Sequence, residues 1–362
     1  MNVRLEPRGE PPAWLSPALT IAAVVVALVI GAIVLALVGG DPIRAYLHII
    51  DAAFGDIGVL SDTLVKATPL ILTGLACALA FRMRLWNIGA EGQFLLGAWG
   101  ASAVVLLPIL PPGTPAIVVI PAMMLAGAAA GGVWGFIPGV LRARLGVNEI
   151  ITTLMLNYVA LAWIQFWVFG PWSEGGFQQT VAFPREAWLP RLTDLAEQFP
   201  LLAGLTTHLG LVFAVVAAAI MSIVVSRTRW GYEMRLIGDN ARAARYAGID
   251  TARYIVVVFV ISGALAGLAG MSEVSGVVHR LQDRISPGYG FTAIIIAYLA
   301  GFGPWRVVLA SILFGALILA GREIQPSGVP AMIQGVILFC LIVAGVFTRY
   351  RIRITRRVMA AT

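Results

Sequence analysis

Charged residues are so sparse in this chain that they leave nine long uncharged runs, at 11–40, 67–81, 92–141, 150–173, 198–226, 254–272, 285–305, 307–321 and 324–348. A membrane-crossing helix needs about 20 residues with few or no charges. The 50-residue run at 92–141 is too long for one crossing and is broken by Pro108, Pro111, Pro112, Gly113 and Pro115, so it counts twice. Two runs of 15 residues are short, and Lys66 and Arg322 at their ends are expected to snorkel to the interface. The runs therefore predict an all-α integral membrane protein of about ten transmembrane helices. Composition agrees, because 12% charged residues, against about 25% in soluble domains, cannot cover a water-exposed surface.

Lysine and arginine set the orientation, since cytoplasmic loops retain positive charge. With both termini cytoplasmic, inner segments hold 18 of the 25 basic residues, among them six arginines from Arg227 to Arg253 and five from Arg349 to Arg357. The outer segments hold the other seven: Arg44, Lys66, Arg185, Arg191, Arg280, Arg284 and Arg322. The net charge of +7 then reflects topology and contact with anionic lipid rather than nucleic-acid binding. The chain reads as one polytopic domain, 1–362. It has an N-terminal tail at 1–16, six spans in 17–226 with an outer loop at 170–206, an inner segment at 227–253, four spans in 254–348, and a basic tail at 349–362. Ile21 to Val38 exceeds a signal-peptide core and is followed by no cleavage site, so it is expected to remain as the first helix.

Several chemistries fail on inventory. The only lysine, Lys66, has no phosphate-loop glycines around it, so ATP hydrolysis is not expected of this chain. His48, His208 and His279 lack metal-ligand spacing, and Cys77 and Cys340 both fall in expected spans, so neither a metal site nor a disulfide is expected. No nucleophile and base cluster as an intramembrane enzyme would require, and Gly288-x-Gly290-x-x-Ala293 lacks the preceding strand of a dinucleotide site.

Gly127, Gly131, Gly135 and Gly139 recur every fourth residue, and Gly263 and Gly267 repeat the interval, which predicts close backbone approach between helices. The outer loop mixes Trp172 and Trp188 with four prolines and four acids, a composition that suits either a cover lying on the bilayer or a docking face for an external partner.

The inner segment is the most distinctive polar feature. Asp239 or Asn240 can cap a helix, Ala241 to Ala247 favour one, and Gly248 suits the left-handed position that ends it. Arg242 and Arg245 share a face of this two-turn helix, which is too short to be stable alone and is best used by inserting into a groove of another protein.

These residues carry a resemblance. Gly231-x-x-x-Arg235-x-x-Gly238-x-Asn240-x-x-Ala243-Ala244-x-x-Ala247-Gly248-Ile249 resembles the coupling-helix region of bacterial ABC-importer permeases of the ribose, simple-sugar and branched-chain amino-acid superfamily. Leu236 departs from the alanine common there. Trp86 to Gln93, Asn148 to Tyr158 and Gly288 to Ile294 resemble the same superfamily, the first two its nucleoside-uptake branch. The resemblance spans roughly residues 60 to 347. It implies a permease subunit in the bacterial inner membrane that imports a nucleoside, most simply a purine nucleoside, by alternating access. The implied partners are an ATP-binding subunit that holds ATP and Mg, a second permease, and an extracytoplasmic binding protein or lipoprotein; the chain itself needs no cofactor. Arg235, Gly238, Asp239, Asn240, Arg242, Ala244, Arg245 and Gly248 would couple it to the ATPase. A simple-sugar cargo such as ribose or galactose stays open. An ion-coupled secondary transporter also stays open, although it has no use for a capped inner helix.

The polar residues near the motifs allow two readings. Asn87, Glu91, Asn148 and Glu149 can each cap their helices from the inner side, and Asn87, Glu91 and Gln93 are the alternative candidates for the transport path. Asn157 and Gln165 lie deeper, where polar groups face the bundle or a wet cavity, and Trp163, Phe166 and Trp167 nearby could stack on a base. For Asn157, interhelical hydrogen bonding competes with a place on the path.

Overall fold

A computed structural model describes residues 2–7, 12, 14–37, 39–107, 109–111, 113–321 and 329–355. Helices come first in the architecture: α1 (Leu15–Leu37), α2 (Pro42–Phe54), α3 (Ile57–Arg82), α4 (Ala90–Leu106), α5 (Ala116–Leu145), α6 (Glu149–Phe169) and α7 (Gly210–Arg227). After them come α8 (Arg229–Asp239), α9 (Ala241–Tyr246), α10 (Thr251–Glu273), α11 (Tyr289–Leu299), α12 (Pro304–Ala320) and α13 (Val329–Arg349). Among the described residues, six helical segments are long and apolar enough to cross a membrane. Each of α1, α3–α7 and α10–α13 overlaps chiefly one of the nine expected runs, with α4 and α5 sharing the doubled one.

The chain forms two compact units. In the unit made by residues 1–49 and 321–362, α1 packs on α13, and a short antiparallel ladder pairs β1 (Asn2–Pro7) with β2 (Tyr350–Thr355). Arg8, Arg322, Arg356 and Arg357 lie outside the described residues.

In the unit spanning 50–320, α3 is enclosed by α10, α11 and α12, while α4 and α10 pack on α5. The glycine stripes lie in that last contact. A Cβ on Gly131 would sit 2.3 Å from the Gly263 carbonyl oxygen, and one on Gly267 would sit 2.2 Å from that of Gly127. A methyl group has no room there, so the two backbones touch. Gly97 on α4 closes the seam, its Cβ position lying 2.1 Å from the Gly267 Cα. Such contacts replace the hydrophobic drive that lipid removes.

Three expectations change. Lys66 does not mark a helix end: α3 starts nine residues earlier, with Asp56 accepting from the Val59 amide at 2.8 Å, and Lys66 is interior and buried. The run at 198–226 is shared, because residues up to Leu209 belong to the connection from α6 and only from Gly210 onward is the chain α-helical. The run at 285–305 contains the 11-residue α11, which at 1.5 Å per residue reaches about 16 Å, roughly half a bilayer core.

Candidate functional site

Lys66, from α3, places its Nζ 3.2 Å from Glu273 Oε1 and 3.3 Å from the Tyr289 hydroxyl. Tyr289 in turn lies 3.4 Å from both Glu273 oxygens, which joins α3, α10 and α11 through one ionic cluster. Lys66 is 7% exposed and Glu273 2%. Opposite charges at this depth are costly unless paired, and here each has its partner.

The chain geometry that brings them together is specific. At Val274–Val278, α10 widens into a π-helical turn, and His279 takes a left-handed φ of 57° that ends it. The chain returns to Ser286, whose hydroxyl accepts from the Gly288 and Tyr289 amides at 3.0 Å and so starts α11. The Glu91 carboxylate then accepts from the Gly290 amide at 2.7 Å. The starts of α4 and α11 are in backbone contact, since a Cβ on Gly290 would lie 2.2 Å from the Glu91 nitrogen. Two positive helix ends meet there, and one carboxylate between them offsets the repulsion.

A second polar layer carries the irregular segment before α4 back into the bundle. Asn87 donates to Gln93 Oε1 and to Ser262 Oγ, both at 2.8 Å, and Ser262 donates to the Ala76 carbonyl at 2.7 Å. Asn157, from α6, accepts from the Gly92 amide at 2.9 Å and donates to the Ile88 carbonyl at 3.0 Å. These side chains satisfy backbone groups that lipid could not. At the other end of α4 and α6, Trp99, Trp163, Trp167 and Trp172 cluster, with the Trp167 and Trp172 rings 4.5 Å apart.

On the inner segment, Thr228 caps α8 by accepting from the Gly231 amide at 3.3 Å. Glu233 accepts first from the Tyr254 hydroxyl and second from Arg229 at 2.6 Å, and these two hydrogen bonds keep its carboxyl below the usual range. A Cβ on Gly238 would lie 2.3 Å from the Arg82 carbonyl, so α8 is seated on the end of α3. Asn240 then caps α9, accepting from the Arg242 and Ala243 amides at 3.0 and 3.1 Å. The far end closes at Gly248, whose φ is 79° and whose amide donates to the Arg245 carbonyl at 3.0 Å. Ala244 alone in α9 is buried; Arg242, Arg245 and Tyr246 project outward. A cleft of about 730 Å³ lies alongside, lined by α8, the Gly248 turn and the start of α10.

Residues 59–345 match the family described as the branched-chain amino acid transport system, permease component. The chain belongs to this family. It is 39% identical to a glucose ABC transporter permease of Haloferax volcanii over 98% of this chain and 95% of that one. It is 35% identical to a guanosine ABC transporter permease of Bacillus subtilis over 88% of this chain and 89% of the other. A nucleoside ABC transporter permease of Lactococcus lactis is 33% identical over 84% and 83%. No solved structure matches. The permease is a multi-pass membrane subunit of a transporter and not itself an enzyme.

The permease brings four of the six path residues together. Asn87, Glu91, Gln93 and Asn157 are all buried around the start of α4, each bonded to another group of the bundle. Trp163 and Phe166 sit elsewhere, exposed on α6 beside the tryptophan cluster. Asn148 caps α6 as one reading had it, accepting from Ile150 at 2.9 Å, whereas Glu149 pairs with Arg142 at 3.2 Å. Glu91 serves α11 rather than its own helix. Of the two cap candidates for α9, Asn240 does the capping, and Asp239 ends α8 within 4.0 Å of Arg84. Sequence reasoning missed Lys66, Glu273 and Tyr289 as a unit. The available signal was a lone lysine and a glutamate, each within a largely apolar stretch, for which a partner should have been sought.

Proposed function

We propose that this permease forms half of the membrane path of an ATP-driven importer that carries a nucleoside, specifically a purine nucleoside, across the bacterial cytoplasmic membrane. The observation that carries the importer reading is α9. It is capped at both ends, six residues long, and outward on every residue but Ala244, so it is shaped to be gripped by another protein. In this reading a separate ATPase, holding ATP and Mg, grips Arg242, Arg245 and Tyr246. Its closure moves α9, and α8 passes the displacement to the end of α3 through the Gly238 contact. The Lys66 cluster and the Glu91 clip make α3, α4, α10 and α11 respond together. Cargo biases the equilibrium only by its differential affinity for the two states. The other partners are a second permease and an external binding protein.

An even number of crossings with both termini inside fits this reading. The 18 inner basic residues support it, and so does the β1–β2 ladder, which joins the two ends of the chain as an even number of crossings requires. Two of the three relatives named above are permeases for guanosine or nucleosides, which supports the cargo. The Haloferax relative favours a second reading, a sugar such as glucose.

Competition uptake by the assembled importer separates them. Unlabelled purine nucleoside should abolish uptake of labelled guanosine, while ribose, glucose, galactose and free base should not. Competition by glucose alone would replace the nucleoside with the sugar. Coupling is tested with Gly248→Pro and Arg235→Glu. Proline cannot adopt φ 79° and removes the amide that bonds Arg245. Both variants should insert normally yet lose ATPase stimulation by loaded binding protein, and normal stimulation would remove the coupling role.

A further inference from the structure

Two clefts at the α8 end of the bundle share a side chain. The cleft beside α8 is lined by Arg229, Glu233, Asp250, Arg253 and Tyr254 among others. A second, of about 450 Å³, lies between α7 and α10, is almost wholly apolar, and includes Leu79 from α3. Trp230 lines both. One face of α10 joins them into a single groove. Tyr254 and Val257 line the first cleft, and Ile261, Leu265 and Leu268 the second. Their intervals of three, four, four and three confine all five to an arc of about 80° over about 21 Å of helix. The opposite wall is α7, where Phe213, Val216, Ile220 and Val224 form a similar stripe about 16 Å long.

The groove changes chemistry along its length. Its apolar part runs from Val224 to Phe213, a length equal to about half of a hydrocarbon core roughly 30 Å thick, which is one leaflet. Val216, Ile220 and Ile261 are 38% to 57% exposed, so this part opens through the apolar surface of the bundle. At Trp230, stacked on Tyr254 with ring centres 6.0 Å apart, the lining turns polar. An indole and a phenol suit the level of the headgroups. Beyond them both signs of charge are present. Glu233 is occupied by the Tyr254 hydroxyl and Arg229. Arg253 and Asp250 are exposed and, among the described residues, have no ion-pair partner. Asp250 Oδ1 accepts from the Arg253 amide at 3.0 Å, which fixes the carboxylate at the start of α10. Two arginines against two acids leave this end of the groove without net charge, so it complements a headgroup that carries both signs better than an anionic one.

We propose that this groove binds one zwitterionic phospholipid of the phosphatidylethanolamine type. An acyl chain lies between α7 and α10, the phosphate meets Arg253 and Arg229, and the ammonium meets Asp250. The order of the lining, one leaflet of hydrocarbon, then an aromatic pair, then paired charges, is the order of a phospholipid from tail to head. Bound there, the lipid touches α7, α8 and α10 together. The site requires only that α8 lies at a membrane surface, and it is independent of the cargo.

The test uses the complete importer in nanodiscs of phosphatidylethanolamine and phosphatidylglycerol in equal parts, with a trace of one or the other lipid carrying a diazirine on an acyl chain. After illumination, the ethanolamine probe should label 213–224 and 261–268 more than the glycerol probe does, by roughly fivefold, while other labelled segments take both probes alike. Asp250→Asn with Arg253→Gln should abolish that preference; asparagine keeps the helix cap, and an unchanged melting midpoint shows that the variant is folded. Ala217→Trp, which fills the apolar part, is the second variant and should bring labelling of 261–268 by the ethanolamine probe down to that by the glycerol probe. Equal labelling by the two probes in the unaltered importer would mean annular lipid only and would overturn the proposal. Preference for the glycerol lipid, or a preference that survives in the folded double variant, would overturn the headgroup assignment. Absence of labelling in the groove alone would mean that protein covers it, the ATPase or a second permease, and would overturn the proposal too. Labelling does not read uptake, so failure of the nucleoside reading would leave this result unchanged.

Discussion

Replacing Lys66 by methionine should destabilise the permease far more than the loss of one contact, because it strands Glu273. The pair lies 3.2 Å apart with side chains 9% and 3% exposed. Removing one member of a buried pair costs about 3–5 kcal/mol, whereas replacing both with uncharged groups of similar volume is close to neutral. For 362 residues at about 2.1 cal/mol/K each, the unfolding entropy is near 0.76 kcal/mol/K, so that loss lowers the melting midpoint by roughly 4–7 °C. Lys66→Met/Glu273→Gln should recover most of it, since the Tyr289 hydroxyl remains within reach of an amide at position 273. The assay is thermal unfolding of purified importer followed by scanning fluorimetry, with both singles and the double completing a mutant cycle. An unchanged midpoint for Lys66→Met would refute the idea that the pair holds α3 to α10. A double variant as unstable as the single would refute the stranded charge as the cause.

Other consequences are as direct. Gly131→Val should abolish stable insertion, because its Cβ would lie 2.3 Å from the Gly263 carbonyl and neither backbone can yield, whereas Gly335→Ala on α13, with nothing within 4 Å, should be tolerated; membrane yield compares them. Asn157→Leu should cost about 1–3 kcal/mol by leaving the Gly92 amide and Ile88 carbonyl without partners, read as a lower midpoint, while Asn157→Asp should keep the bond from Gly92. In the outer loop, burial first and Arg191 second push His208 down to about 3 and His279 down to about 4. The unfolded histidines titrate near 6.5, so between that value and the folded ones the unfolded chain binds more protons and stability falls with falling pH. Amide exchange over 173–209 should therefore quicken from pH 7 to pH 5, after correction for intrinsic rates, and His208→Gln with His279→Gln should flatten the change.

The outer loop shows why its role was open in sequence. Trp188 stacks on His279 with ring centres 3.6 Å apart, Arg191 reaches the same ring at 2.6 Å, and Ser61 bonds Thr207 at 2.7 Å. The loop is fastened to the ends of α10 and α3, partners 70 or more positions away in the chain. Nothing in its prolines and tryptophans specifies those addresses.

What the sequence determined by itself was whatever depends on local cost. Burying a charge in lipid is so unfavourable that the spacing of charges marked the long apolar helices, and the amide and left-handed requirements of a short helix marked Asn240 and Gly248. The glycine interval on α5 likewise announced a close neighbour. Tertiary structure decided which costs were offset by distant partners. Lys66 ceased to be a boundary because Glu273 and Tyr289 meet it from 207 and 223 residues away, and Glu91 serves an amide 199 residues later, at the start of another helix. Pairing of that kind is a property of position in three dimensions: a charge looks like the end of a span until its counter-charge is seen beside it.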